Sequence, residues 1–248
     1  MNPYGVDTTD GNIRGPIVSL GILYDEMPET QGCERCQEVN GDDAIWCCRT
    51  LNPSMYYIEF LKIWEKVEDW GKEKRLELIL RSIKNHLTTG LAKGCVFWDD
   101  ECLVYEDRPF ACRMYAVIPQ ESWDARLESL KKRYGEDYEP KPQCDLVSVK
   151  NGELITKDQE RKWFLHTARC ETRIGVPPQI VKAHDNPQGS YRTFHDHILL
   201  ELFDEGFLTK LSELRLQNPS MEEIDQFLEV LGDQLRQNEC QTRIKSSV

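Results

Sequence analysis

The chain has 248 residues, 40% of them hydrophobic, which is long enough to bury a substantial core without covalent staples. Its formal net charge of −12, from 31 Lys and Arg against 43 Asp and Glu, argues against a nucleic-acid binder, because phosphate binding is driven by clustered cations. The sequence has no run of about 18 apolar residues and no basic stretch leading into an apolar one. This excludes an ordinary membrane-spanning helix and predicts a cytoplasmic, reducing setting for ten cysteines.

In chain order, Gly and Pro recur at short intervals through residues 1–32, and the prediction there is an extended N-terminal arm with one strand over 17–24. Asn52 as cap and Pro53 in a first turn introduce Tyr57, Phe60, Leu61, Trp64 and Val67, whose spacing predicts an amphipathic helix. A second stripe, Leu76, Ile79, Leu80, Ile83 and Leu87, runs to Gly90, a residue suited to a left-handed C-terminal cap. Trp123, Leu127, Leu130 and Tyr134 mark a helix over 122–134 that Gly135 stops, followed by a loop over 136–143 that holds Pro140 and Pro142.

The next helix is predicted over 157–173, broken by Val176-Pro177-Pro178. A final helical pair over 195–216 and 221–235, joined by Asn218-Pro219-Ser220, carries Ile224, Phe227, Leu228, Leu231 and Leu235 on one face and should pack on the core. These readings divide the chain into an arm (1–32), a cysteine-cluster metal-binding domain (33–175) and a C-terminal helical extension (176–248). The fold class is mainly α, with irregular cysteine-rich loops wrapped around a metal site and few or no strands. A protein partner is expected on the C-terminal helices or the arm.

The cysteines carry the chemistry. Cys33-x2-Cys36-x10-Cys47-Cys48-Arg49 forms one group, and Cys95-x6-Cys102-x9-Cys112-Arg113 forms the other. A Cys-x-x-Cys pair lets two sulfurs converge on one centre from a single turn, and so recurs in zinc and iron–sulfur sites alike. Neighbouring side chains diverge, so Cys47 and Cys48 do not easily fill two corners of one tetrahedral site. Cys144 and Cys170 are candidate closing ligands, with His166 four residues before Cys170 on one helix face. A lone cysteine is most often a small buried hydrophobe, the reading that suits Cys240. His195 and His197 point to nearly opposite sides of a helix and make a poor joint site.

The run Cys95-Val-Phe-Trp-Asp-Asp-Glu-Cys102-Leu-Val-Tyr105-Glu-Asp-Arg108-Pro109-Phe-Ala-Cys112-Arg113 resembles the hallmark of the YkgJ-type cysteine-cluster family, a zinc- or iron-chelating domain. Cys33, Cys36, Cys47, Cys48 and Arg49 follow the order of that family's first half, C-x-x-C-x-x-C-C. Here ten residues, Gln37 to Trp46, stand where the family usually has two. The resemblance covers about residues 33–115. It implies metal chelation, and it brings in the flagellin lysine methylases of bacteria, which carry a similar cluster. The chain has no Gly-x-Gly pair, so the glycine-rich turn of a conventional nucleotide site is missing.

Seven to nine candidate thiols exceed what a single zinc needs, which favours one or two [4Fe-4S] iron–sulfur clusters, with Zn as the alternative. Arg49, Arg108 and Arg113 are placed to offset the negative charge of a thiolate cluster, and Trp46, Phe97, Trp98, Tyr105 and Phe110 to shield it from water. The expected function is an iron–sulfur protein that relays electrons to a partner enzyme, or matures or assists one. A structural zinc-binding interaction module is the alternative, and a modifying enzyme such as a protein lysine methyltransferase is a second one that rests on the resemblance alone.

Overall fold

The structure, a computed structural model, describes residues 10–32, 35–40, 47, 52–88, 94–135, 144, 146–176 and 191–237. The fold is mainly helical, and its first helix, α1 (Gly11–Glu26), stands where an extended arm was expected. Ile17, Leu20, Leu23 and Tyr24 are buried while Val18 and Ile22 are exposed, a 3.6-residue period that the density of Gly and Pro masks in the sequence. Pro16 lies inside this helix, and the Asp10 side chain caps it by accepting from the Asn12 amide at 2.8 Å. Packing of the buried stripe against later helices overrides the local preference.

After the short α2 (Cys36–Asn40), residues expected to start a helix lead instead into a two-residue strand, Ser54–Met55. The helix α3 (Tyr57–Glu68) begins beyond it, and Tyr57, Phe60, Leu61, Trp64 and Val67 are all buried as their spacing predicts. In α4 (Lys72–Leu87), Leu76, Ile79, Ile83 and Leu87 are buried; the helix stops at Thr88, whose backbone is extended and whose hydroxyl donates to the Lys84 carbonyl at 2.8 Å. Gly90, the expected cap, lies outside the described residues.

Further along stand α5 (Phe110–Met114), α6 (Gln120–Tyr134) and α7 (Lys157–Ile174). Gly135, at φ 103°, ends α6 as expected, and Gly175 in the left-handed region ends α7. The loop over 136–143 and the Pro177-Pro178 break lie outside the described residues. The helix expected over 195–216 is two helices, α8 (Phe194–Leu202) and α9 (Glu205–Leu216). Phe203 is extended, and the Asp204 carboxylate accepts from the Phe207 amide at 2.8 Å, a cap signal inside an apolar stripe. The last described helix is α10 (Met221–Gln237).

Helix α1 packs along α7, and both contact α3; α4 packs against α8, α9 and α10, and α8 also touches α3. One hydrophobic cluster runs from Ile17 of α1 to Leu231 of α10, with Phe60, Trp64 and Phe194 among its largest fully buried side chains. Three antiparallel pairs of two-residue strands pin the connections: β1 (Thr30–Gln31) with β5 (Ser148–Val149), β2 (Ser54–Met55) with β6 (Arg192–Thr193), and β3 (Trp98–Asp99) with β4 (Glu101–Cys102). Among the described residues no helix is long and apolar enough to cross a membrane. The cysteines are not confined to loops, since Cys36, Cys112 and Cys170 lie in helices and Cys102 in β4.

Candidate metal centre

The second cysteine segment is a tightly turned path. Gly94 precedes it at φ 68°, and Trp98 N–H bonds back to the Cys95 carbonyl at 3.1 Å. The β3–β4 hairpin turns on Asp100 at φ 59°, a left-handed conformation that a short polar side chain tolerates. Two further turns follow, Tyr105 N–H to the Cys102 carbonyl at 3.2 Å and Asp107 N–H to the Val104 carbonyl at 3.0 Å. Pro109 then opens α5, which carries Cys112.

This path puts the three thiols within reach of one another's charge. Burial pushes the Cys95 thiol up to about 12, and the charges of Cys102 and Cys47 add to the rise. Burial likewise raises Cys102, and raises Cys112 well above the usual thiol range with the charges of Cys95 and Cys102 contributing. Working the other way, backbone amides of Phe97 and Trp98 donate to the Cys95 sulfur and that of Val104 to the Cys102 sulfur. Amide donors aimed at a sulfur favour its thiolate form, the form that binds metal. The charge of Cys47, from the first cysteine segment, thus reaches Cys95 in the second.

The arginines divide the work. The Arg108 guanidinium stacks 4.1 Å over the Tyr105 ring and donates to the Thr30 hydroxyl at 3.2 Å, and its charge favours the thiolates of both Cys102 and Cys112. Arg113 turns back on its own chain, donating to the Arg108 carbonyl at 2.9 Å and to the Glu106 carbonyl while stacking 4.4 Å over Tyr24. Of the expected shielding aromatics, Phe97 is buried and packs 4.3 Å from Phe194, Trp98 and Phe110 are half-buried, and Tyr105 is exposed.

The other candidates fall in different places. Cys36 is buried and Cys144 half-buried. Cys33, Cys48, Arg49 and Trp46 lie outside the described residues. Gly32, just before Cys33, sits at φ 107° with the Leu146 backbone where a Cβ would stand, so only glycine lets the first segment run this close to the strand that follows Cys144. Cys170 and His166 share one face of α7 as their spacing predicts, and that face meets Ser19 of α1, 3.1 Å from His166 Nε2 and hydrogen-bonded to the Cys170 thiol. His195 and His197 are both buried: Asn52 Nδ2 lies 2.6 Å from His195 Nδ1, and His197 Nε2 donates to the Met55 carbonyl at 3.2 Å.

Two carboxylates escaped the sequence reading. Glu59, 1% exposed, accepts from the Tyr24 hydroxyl, from Phe110 N–H at 2.6 Å and from Tyr56 N–H at 2.9 Å. Glu171 accepts from Ile58 N–H at 2.8 Å at the start of α3, and burial first, then the charge of Glu59, lifts it to about 7. The one available signal was Glu59 three residues after a helix start; a Ser or Thr was missing at the cap, and the stripe around it read as plain core.

Among the described residues, no three His, Cys, Asp or Glu side chains stand close enough to form a ready-made metal cage. The donor set is nonetheless thiol-rich, supported by amides and flanked by Arg108, the chemistry that suits zinc or an iron–sulfur centre. Neither family models, nor curated proteins, nor solved structures match the chain.

Proposed function

We propose that this protein chelates metal through cysteine thiolates and that its resident group is an iron–sulfur cluster, used to relay electrons to a partner enzyme or to mature or assist one. What supports the reading is the tightly turned path that carries Cys95, Cys102 and Cys112 close enough for the charges of Cys95 and Cys102 to act on Cys112, with the charge of Cys47 reaching Cys95 from the first segment. Four thiols is the complement of one [4Fe-4S] cluster, and Cys33, Cys36 and Cys48 supply the surplus that a single zinc has no use for. When bound, such a cluster supplies one-electron transfer. The residues around it tune that chemistry: Arg108 offsets negative charge, the turn amides of Phe97, Trp98 and Val104 stabilise sulfur, and Phe97 keeps water from one side.

Anaerobic purification tests the proposal. The expected product is brown, with broad visible absorbance, acid-labile sulfide and iron in stoichiometric amount. A colourless protein holding stoichiometric zinc would replace the cluster with a structural zinc site, whose removal by chelator unfolds the chain without any redox signal.

A further inference from the structure

We infer that Glu59 is a positioning residue for the thiolate site, acting through the Phe110 amide on Cys112. The inference rests on the metal-chelating reading and names a residue that neither cysteine spacing nor the resemblance points to. Burying a carboxylate is costly, and a fold that needed only a helix cap has cheaper exposed residues for it. Glu59 is instead held almost wholly from solvent by donors from three elements: the Tyr24 hydroxyl of α1, the Tyr56 amide entering α3 and the Phe110 amide of α5.

The α5 helix has no side-chain cap of its own at Pro109, so the Glu59 oxygen 2.6 Å from Phe110 N takes that part from another element. Cys112 stands two residues on, its amide bonded to the Pro109 carbonyl at 2.9 Å. Arg113 follows, stacked over the same Tyr24 ring that donates to Glu59 and bonded to the Arg108 carbonyl. One carboxylate therefore ties down both the Cys112 end of the site and the loop that bears Arg108. The Cys95 and Cys102 end is held separately, by its own turn amides.

The test uses Co2+ on the full chain, because the visible d–d bands of cobalt thiolate report coordination geometry independently of fold stability. In Glu59→Gln, one face of the side chain becomes a donor and at least one of the three bonds is lost. The expected result is a Co2+ affinity about 10- to 100-fold weaker with an altered d–d spectrum. Tyr24→Phe removes one bond without adding a donor and should shift both readouts in the same direction by less. Leu231→Ala, in α10 against α4, should lower the stability of the metal-free chain and leave both readouts unchanged.

A folded Glu59→Gln with parental Co2+ affinity and spectrum would overturn the inference while leaving the chelating function standing. Should that variant fail to fold, parental values in Tyr24→Phe would do the same. A parent chain that takes up no Co2+ would instead remove the chelating reading, and this inference with it.

Discussion

His197 lies with 0% exposure beside the Met55 carbonyl, and burial holds its imidazole down to about 4. The unfolded chain, with an ordinary His near 6.5, binds more protons between those values, so stability rises with pH across that window and is lost as pH falls through it. The contribution is roughly 3 kcal/mol. His197→Gln keeps a donor for Met55 and should flatten this acid limb, read as urea midpoints at a series of pH values; an unchanged limb would show that another group sets it. Glu171 acts oppositely. Its folded value of about 7 lies above the unfolded one of 4.5, so its protonated form favours the fold and its contribution is lost as pH rises through that range. Glu171→Gln, which retains an oxygen for the Ile58 amide, should match the parent near the acid end and exceed its melting temperature at about pH 8.

Helix α1 gives the sharpest case of an element decided by packing. Leu20 is 0% exposed and Ile22, two residues on, is 57% exposed, which a helix against α7 produces. Leu20→Ala should therefore cost about 2–5 kcal/mol in chemical denaturation, and Ile22→Ala within about 0.5 kcal/mol of nothing. Equal costs would return the segment to an extended arm. Helices α3 and α4 were legible because each carries a complete apolar stripe, whereas the five-residue α5 is too short to show one and was not. The break at Asp204 was not, because the cap residue there interrupts a stripe that continues in phase on both sides.

For the whole molecule, metal binding, protonation and folding form one linked system. Because burial raises the thiols of Cys95, Cys102 and Cys112, they carry protons at neutral pH, and loading with Zn2+ should release them. Calorimetry in buffers of different ionisation enthalpy should count that release, with affinity weakening as pH falls; uptake without proton release would mean other ligands. Cys112→Ser should lose metal and much of the metal-dependent stability, whereas Cys240→Ser should change neither, and equal metal content in both variants would show that the ligand set lies elsewhere.

The thiol content of the chain, the grouping of its cysteines, its acidity and the periods of its long helices are properties of local sequence, and reading residues in order recovers them. The reach of the Cys47 charge to Cys95, the packing that makes residues 11–26 a helix and the clamp of Glu59 on Phe110 depend on residues 48, 147 and 51 positions apart meeting in the fold. Spacing cannot report such meetings. A buried carboxylate looks like any other acid in an acidic sequence until the fold removes water from it and supplies three donors in its place.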